Sequence, residues 1–485
     1  MEDFDLDTVA RKSVKGIFAL TSRTFFIQIL GVIASFVLTI YLSPESFGVF
    51  FVVSSIVVFL NYFQDIGLAA ALIQKKDEVT QEELRSTFTL QQILVLAIIT
   101  PALLFSGQIA SFYKLNNDGY VLFLALIVSF FLASLRTIPT VIMERKLAFG
   151  KLVIPQIAEN VAYNSALIVF SILGFGLTTF TIAVLSRGIV GLILTYLVQS
   201  WPIGISFRFS AIKQLINFGL PFQANTLLAL VKDDLLIVYV GKILPFSQVG
   251  YIGFAQKWAF LPLRLVMDNV IKVTFPSYSR LQHNPAALKL AIEKSLFLIS
   301  FFIFPTAVFI IQYSEFLIDL IPKYSKWEPA ILSLSFFALN TIFSSISTPL
   351  TNFLNAIGKV KITLYFMVFW TALTWVLTPL SIFTFGFNGF AASSFIISVS
   401  SVLVYLIAKR YVSFSFTKPV FRQFAASFIM LTFIYLTRQM IDSFPTLFLN
   451  MFIAGIIYLG VLYLMAGSEL VKTLRFIMIS VRSKG

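Results

Sequence analysis

Charged side chains interrupt several of the long apolar stretches in this sequence of 485 residues. A lone charge at the centre of a bilayer costs on the order of 2.5–3.5 kcal/mol on insertion scales, so such residues face polar surroundings and mark candidate functional sites. The candidates for binding a charged ligand are Arg23, Arg187, Lys232, Lys257 and Arg264, with Gln28, Asn61 and Gln256 as neutral polar partners. Arginine and lysine bind anionic groups, so the predicted chemistry is recognition of an anion.

Carboxylates form a second group of candidates, for ion coupling or for charge pairing. They are Asp65, Asp233, Asp234 and Asp268. Neighbouring carboxylates repel each other when both are ionised, so the adjacent Asp233 and Asp234 favour binding of a proton or a sodium ion. Lys232 can equally neutralise one of them, and Asp65 can pair with Arg23.

Three charges of one predicted helix lie on a single face. Lys257, Arg264 and Asp268 are seven and four residues apart, a spacing that places them on the same side of a helix. Arg264 and Asp268 can form an i,i+4 ion pair, which leaves the charge of Lys257 unbalanced. Such charges either hold helices together or line a wet cavity for a charged ligand. Their concentration in the first two spans of each half of the chain favours the cavity.

Residues for catalysis and for metal binding are scarce. The sequence contains no cysteine and a single histidine, His283, so thiolate zinc sites and disulfides are excluded and a histidine-based metal site is not expected. It also lacks a glycine-rich phosphate loop followed by Lys-Ser/Thr, and a His-Glu-x-x-His motif. We therefore expect no catalytic residue, no metal site, no enzymatic activity and no cofactor beyond a coupling proton or sodium ion.

The elements that must position these charges are membrane-spanning helices. Of the residues, 58% are hydrophobic and 12% are charged, and the mean hydropathy is +0.91. That is too little charge for a soluble domain of this length. Apolar stretches of about 20 residues, the length that spans a bilayer core, recur along the chain. They predict an all-α polytopic membrane protein with about fourteen transmembrane helices.

Lysine and arginine are unevenly distributed between the predicted loops. The loops on the side of the amino terminus carry most of them, and the positive-inside rule places that side in the cytoplasm. With an even number of spans both termini are cytoplasmic, and the protein is a multi-pass protein of the cytoplasmic (inner) membrane. The net charge of +14 then indicates contact with anionic membrane lipids, and no nucleic-acid partner is expected.

An internal repeat divides the predicted spans into two halves. Pro44 and Gly48 open one span, and Pro245 and Gly250 open another six spans later. Because six is even, the two copies share one orientation, as in transporters whose halves are related by an axis along the membrane normal. The predicted divisions are an N-terminal six-helix lobe, a C-terminal six-helix lobe and two additional helices with a tail, at residues 1–208, 209–415 and 416–485.

Short motifs along nearly the whole chain resemble one family of membrane proteins. They are Leu42-Ser-Pro-Glu-Ser-Phe-Gly48, Gln64-Asp-Ile-Gly-Leu68, Ala71-Leu-Ile-Gln-Lys-Lys-Asp77, Phe218-Gly-Leu-Pro221, Asp234-Leu-Leu-Ile237, Phe275-Pro-Ser-Tyr-Ser-Arg-Leu281, Trp327-Glu-Pro-Ala330 and Asn355-Ala-Ile-Gly-Lys359. Their order and spacing resemble the Wzx-type oligosaccharide flippases, most closely the branch that exports colanic and teichuronic acid-like polysaccharides. The chain departs from that pattern at Val238, where members usually have glycine, and at Tyr251, which lies one position early.

The resemblance implies the multidrug/oligosaccharidyl-lipid/polysaccharide exporter superfamily, whose fold has two six-helix lobes around a central cavity and two extra helices. A Wzx-type member moves an undecaprenyl-diphosphate-linked oligosaccharide across the cytoplasmic membrane by alternating access, and makes or breaks no bond. The implied partners are the lipid-linked oligosaccharide, membrane lipids, and a polysaccharide polymerase with its chain-length machinery.

Three other functions share features with this pattern. A multidrug or cation exporter on the same fold would favour acidic residues in its cavity, whereas Arg23, Lys257 and Arg264 are basic. A peptidoglycan lipid-precursor flippase has the same fold, but its motifs match less well. A membrane polysaccharide polymerase would carry a sizeable outer loop, and the predicted outer loops are short. Export of a polysaccharide repeat unit is therefore the predicted function.

Overall fold

The computed structural model describes residues 6–64, 67–75, 77–207 and 227–482. Within these ranges the chain forms helices joined by short connections, with no β-strand, which confirms the predicted all-α class. Contacts divide the helices between two compact units, Met1–Gly250 and Tyr251–Gly485.

The first unit contains the helices α1 to α11. Their bounds are α1 (Leu6–Tyr41), α2 (Pro44–Asn61), α3 (Leu68–Gln74), α4 (Gln81–Leu104), α5 (Ser106–Tyr113), α6 (Asn117–Leu135), α7 (Thr137–Arg145), α8 (Phe149–Ile172), α9 (Thr178–Val198), α10 (227–232 in the described chain) and α11 (Asp234–Ile243). Helix α12 (Phe246–Leu281) begins in the first unit and continues into the second.

The second unit contains the remaining helices. They are α13 (Pro285–Leu320), α14 (Ile331–Ala356), α15 (Val360–Phe385), α16 (Asn388–Val399), α17 (Val402–Lys409), α18 (Arg422–Thr437) and α19 (Phe444–Arg482). The predicted lobes at residues 1–208 and 209–415 stay a prediction.

Eleven segments within the described residues are long and apolar enough to cross a membrane. The protein is therefore a multi-pass membrane protein. Helices α8 and α12 are also long, but they are not among the eleven because their polar and charged residues lower their hydropathy. Another predicted span falls partly outside the described residues, so the count of fourteen stays a prediction.

Charged side chains hold the segment between α2 and α4. Thr80 and Glu83 form a capping box at the start of α4, in which the Glu83 N–H donates to Thr80 Oγ1 at 3.2 Å and the Thr80 N–H donates to Glu83 Oε2 at 2.9 Å. Glu83 also pairs with Lys75 at 2.5 Å. At the end of α3, the Arg145 guanidinium donates to the carbonyl oxygens of Leu72 and, at 2.9 Å, of Lys75. These bonds satisfy backbone groups that a helix end leaves free and fix α3 against α7.

The glycines of the predicted repeat lie at a crossing of two backbones. A Cβ atom built on Gly48 would overlap the carbonyl oxygen of Phe246, and one built on Gly250 would overlap the carbonyl oxygen of Pro44. The first turns of α2 and α12 therefore touch through their main chains, an approach that only glycine permits. The two proline–glycine segments that the sequence relates are thus in reciprocal contact.

The last two helices of the second unit pack beside α13. The Tyr313 hydroxyl of α13 donates to Asn450 Oδ1 at 2.6 Å, and the Asn450 amide donates to Thr437 Oγ1 at 2.8 Å. The Tyr458 hydroxyl donates to the carbonyl oxygen of Phe301 at 2.9 Å. Because buried polar groups require such partners, these bonds set the register of α18 and α19 on α13.

We expect the crossing of α2 and α12 to tolerate no side chain. Gly48→Ala and Gly250→Ala each force the two backbones apart, and overpacking of this kind typically costs about 1–3 kcal/mol. The purified variants should therefore unfold at lower temperature than the unchanged protein. Gly31→Ala is the matched control, because a Cβ atom there meets nothing within 4 Å and alanine favours the helix. Equal unfolding temperatures for Gly48→Ala and Gly31→Ala would contradict the contact.

Candidate functional site

Helix α8 carries a stripe of polar side chains in an otherwise apolar sequence. Gln156, Glu159, Asn160 and Tyr163 recur at intervals of three and four residues, which places them on one face of the helix. Helix α8 packs against α1 and α9, and each of these two neighbours carries an arginine within its apolar sequence. The stripe therefore meets positive charge from the adjoining helices.

The carboxylate of Glu159 has two arginine partners from different helices. Arg136, at the junction of α6 and α7, donates from Nη1 to Glu159 Oε2. Arg187 of α9 places its Nη2 3.8 Å from Glu159 Oε1. The Glu159 side chain is 7% exposed, compared with 21% for Arg136 and 46% for Arg187. Arg136 and Glu159 thus form a largely buried ion pair, and Arg187 approaches it from a more open position.

The same stripe holds Arg23 of α1. Its Nη1 donates to Gln156 Oε1, and its Nη2 lies 3.3 Å from Thr24 Oγ1. Its Nε is buried and has no hydrogen-bond partner in the part of the chain that the structure describes. The guanidinium group therefore retains one donor that these residues leave unsatisfied.

These five residues, Arg23, Arg136, Gln156, Glu159 and Arg187, form what we term the α8 cluster. It has a net positive charge, because it contains three arginines, which stay protonated in proteins, and one carboxylate. In a medium of low dielectric such a surplus of charge requires a partner. Guanidinium groups bind carboxylate and phosphate through paired N–H donors. The cluster is therefore suited to binding an anion.

A cavity of about 320 Å³ lies beside the α8 cluster. The polar side of its lining consists of Arg136, Thr137, Thr140, Glu144, Gln156, Glu159 and Thr195. Gly191 of α9 makes room for the ion pair, because a Cβ atom there would overlap Arg136 Nη1 and Glu159 Oε2. The first unit therefore has space for a small polar group next to Arg136 and Glu159.

Two of the residues predicted from the sequence, Arg23 and Arg187, meet in the α8 cluster. Sequence reasoning missed Arg136, Gln156 and Glu159 as site residues. A signal for them exists in the sequence, because Gln156 and Glu159 share a helix face and Arg136 interrupts an apolar stretch. What the sequence leaves open is which helices pack together, and the cluster depends on the packing of α8 against α1 and α9.

The charges predicted on one face of α12 are exposed. Lys257, Arg264 and Asp268 lie at the surface of the structure, and none of their side chains forms a hydrogen bond or ion pair with a described residue. The pair that the spacing permits between Arg264 and Asp268 is therefore not formed. An i,i+4 pair on a helix surface contributes only about 0.3–0.5 kcal/mol, which is too little to hold two long side chains in one conformation.

None of the remaining predicted residues forms a hydrogen bond or ion pair with the α8 cluster within the described part of the chain. Lys232 Nζ is 2.5 Å from Asp233 Oδ1, so one of the two adjacent aspartates is paired, and Asp234 begins α11. The neutral candidates Gln28, Asn61 and Gln256 are half-buried. Asp65 lies outside the described residues.

Within the described ranges, no group of three or more histidine, cysteine or acidic side chains could hold a metal ion. Two carboxylates are instead paired with cations: Glu159 with Arg136 and Arg187, and Asp233 with Lys232. The geometry on α8 thus favours recognition of an anion over coordination of a metal.

Comparison with known proteins places these features in a family. The model of the family described as "Polysaccharide biosynthesis protein" matches residues 37–332. The chain belongs to this family. Among similar polysaccharide biosynthesis proteins, the lipopolysaccharide biosynthesis protein WzxC of Escherichia coli (strain K12) is 23% identical over 368 residues, which are 76% of this chain and 74% of WzxC. The succinoglycan biosynthesis transport protein ExoT of Rhizobium meliloti (strain 1021) is 23% identical over 245 residues, 50% of this chain and 49% of ExoT.

Solved structures that this polysaccharide biosynthesis protein resembles are membrane transporters. The lipid II flippase MurJ in an inward closed conformation has a TM-score of 0.76 and 17% identity, over 93% of this chain and 99% of MurJ. An inward-facing multidrug resistance MATE family transporter of the MOP superfamily has a TM-score of 0.64 and 15% identity, over 82% of this chain and 98% of that one. At these identities the likeness concerns the fold. The predicted superfamily fold and the resemblance to the Wzx-type proteins are thereby confirmed.

We expect Arg136→Ala to destabilise this polysaccharide biosynthesis protein. Removal of one partner from a buried pair leaves an uncompensated charge, which costs roughly 3–5 kcal/mol. The unfolding temperature of the purified variant and its abundance in the membrane should both fall. Arg438→Ala is the control, because Arg438 and its partner Glu315 are 51% and 48% exposed, where a pair contributes about 0–1 kcal/mol.

A double substitution tests the cause of that loss. Arg136→Gln combined with Glu159→Gln removes both charges and should recover much of the stability lost in Arg136→Ala. If Arg136→Ala and Arg438→Ala lower the unfolding temperature equally, the ion pair does not stabilise the first unit.

Proposed function

We propose that this protein is a flippase that moves an undecaprenyl-diphosphate-linked oligosaccharide, the repeat unit of a polysaccharide, across the cytoplasmic membrane by alternating access. The observation that carries the proposal is the α8 cluster, in which two arginines face the carboxylate of Glu159 and a third arginine binds the neighbouring Gln156 inside a membrane protein. The family agrees with this function, and so does the likeness to ExoT, a transport protein of succinoglycan biosynthesis.

The diphosphate is the part of such a substrate that cannot cross hydrocarbon unaided. A charge is costly at the bilayer centre, whereas the polyprenyl tail can remain in the lipid. Guanidinium groups replace the water around phosphate oxygens with paired N–H donors. The diphosphate therefore sets the free-energy barrier to crossing the membrane. An arginine cluster within the membrane-spanning helices lowers that barrier.

Transport of this kind requires no catalytic residue, and we assign the protein no enzymatic activity. The substrate is bound on one side of the membrane and released on the other, with every bond preserved. We place the protein in the inner membrane with both termini in the cytoplasm, because the basic loops follow the positive-inside rule. A polysaccharide polymerase and its chain-length machinery, acting on the released oligosaccharide, are the expected partners.

The cations of α12 supply a second positively charged surface in this proposal. Lys257 and Arg264 are exposed on one side of the helix and have no partner among the described residues. We assign them to the path of the substrate headgroup. Such charges disfavour transport by a multidrug or cation exporter, because they repel a cationic substrate. A peptidoglycan lipid-precursor flippase differs in the attached sugars, which the arginines do not contact.

We expect Arg23→Ala and Arg187→Ala to impair transport without reducing the amount of protein in the membrane. Hydrogen bonds to charged groups contribute about 1.5–3 kcal/mol, so each loss should weaken headgroup binding by roughly ten- to a hundredfold. The measurement is complementation of a flippase-deficient strain that makes the cognate glycan, with abundance followed by immunoblot. Arg438→Ala is the control. Full activity of both variants would remove the α8 cluster from the mechanism.

A charge reversal tests the positively charged surface of α12, which consists of Lys257 and Arg264. Arg264→Asp should abolish complementation if Arg264 contacts the headgroup, because the new charge repels phosphate. Adding Asp268→Arg should not restore it, since the two residues form no ion pair in the described structure. Restoration by the double swap would instead make Arg264 and Asp268 a structural pair.

Coupling to a proton or sodium gradient gives the transport its direction in this proposal. Lys232 already neutralises Asp233 at 2.5 Å, so Asp234 is the better candidate for the coupled ion. Asp234→Asn should therefore abolish the dependence of complementation on the gradient, while Asp233→Asn should retain it. A double Asn variant that keeps its ion dependence would exclude both aspartates.

A further inference from the structure

Glu159 has two arginine partners that differ in burial and in distance. Arg136 is in direct contact with Oε2, and its side chain is 21% exposed. Arg187 stays 3.8 Å from Oε1, and its side chain is 46% exposed. A buried pair is costly to break, whereas a long, half-exposed pair contributes about 0–1 kcal/mol. One carboxylate therefore holds one arginine firmly and the other weakly.

The surroundings of Arg187 allow its guanidinium group to change partner without leaving α8. It lies 5.6 Å from the centre of the Tyr163 ring, on the same polar stripe as Glu159, and a cation is attracted to the face of such a ring. The ring can therefore keep Arg187 in place when its carboxylate contact is lost. The Arg187 side chain is 46% exposed, so an incoming polar group can reach its guanidinium group.

We propose that Glu159 is an internal counter-anion that competes with the substrate diphosphate for Arg187 and so limits how tightly the substrate is held. The inference rests on the proposed flippase function. In the unloaded protein Arg187 faces Glu159, and in the loaded protein the diphosphate takes its place. Arg136 remains with Glu159 in both states, which keeps the carboxylate where it can reclaim Arg187. Glu159 is thus a positioning residue that acts through Arg187.

Release explains why such competition is useful. A transport site must bind strongly enough to load and weakly enough to unload, and arginines facing a diphosphate without opposition would favour retention. A carboxylate of fixed position offers Arg187 a second partner at the moment of release. Glu159 thus lowers the affinity of the site for the diphosphate and speeds release of the substrate.

The test measures binding of farnesyl diphosphate, a short polyprenyl diphosphate, to the purified full-length protein in detergent. Glu159→Gln keeps the shape of the side chain and removes its charge, so the variant should bind the probe about tenfold more tightly. In the Arg187→Ala background the same substitution should change the affinity less than twofold, because the arginine for which Glu159 competes is missing. Transport by Glu159→Gln should show a lower KM together with a lower kcat.

Two further variants guard this result against general effects. Glu315→Gln removes an arginine-paired carboxylate in the second unit and should leave the affinity unchanged. If Glu159→Gln fails to accumulate because Arg136 is left unpaired, Arg136→Gln combined with Glu159→Gln removes both buried charges. That double variant still lacks the competitor of Arg187, so it should also bind more tightly than the unchanged protein.

The outcomes separate this role from the proposed function. Unchanged or weaker binding by Glu159→Gln, or equal tightening with and without Arg187, would overturn the competition and leave the flippase proposal standing. Binding of farnesyl diphosphate no tighter than that of farnesol would contradict recognition of a diphosphate itself. Inorganic pyrophosphate, which has no lipid tail, shows whether the headgroup alone is sufficient for the Glu159 effect.

Discussion

The ion pair between Arg136 and Glu159 joins the α6–α7 junction to α8 inside the first unit. In a medium of low dielectric neither charge is stable alone, so the ion pair favours keeping these helices together. Gly191 lets α9 approach the pair, and this approach brings Arg187 to the same carboxylate. One buried carboxylate therefore determines where two of the three arginines lie.

A different kind of contact joins α2 and α12. Their first turns meet through backbone atoms at Gly48 and Gly250, and the meeting atoms carry no net charge. Separation of two such surfaces leaves no charge unpaired, whereas separation of Arg136 from Glu159 would. The two contacts therefore differ in the cost of opening.

The sequence was sufficient for the fold class and for part of the site. Apolar stretches of bilayer length predict spanning helices because the thickness of the hydrocarbon sets their length, and Arg23 and Arg187 stand out because a charge in such a stretch is costly. The partner of each arginine could not be predicted in this way. Glu159 follows Arg136 by 23 residues, across α7 and the first turns of α8, and their contact depends on how α8 packs. Conversely, the spacing of Arg264 and Asp268 permits an ion pair that the structure does not form. Spacing shows that two side chains can reach each other, but it does not give the free energy of their pairing.

The two groups of cations differ in how they are satisfied. In the α8 cluster, side chains of the protein already engage each arginine, so the donors are preorganised and a ligand must displace or share a protein partner. On α12, Lys257 and Arg264 have no partner among the described residues, so a ligand need not displace a protein partner. The first arrangement gives selectivity for a group that can match guanidinium geometry, and the second gives long-range attraction for any anion. A diphosphate suits the first arrangement, because it carries several charges and presents oxygens in pairs.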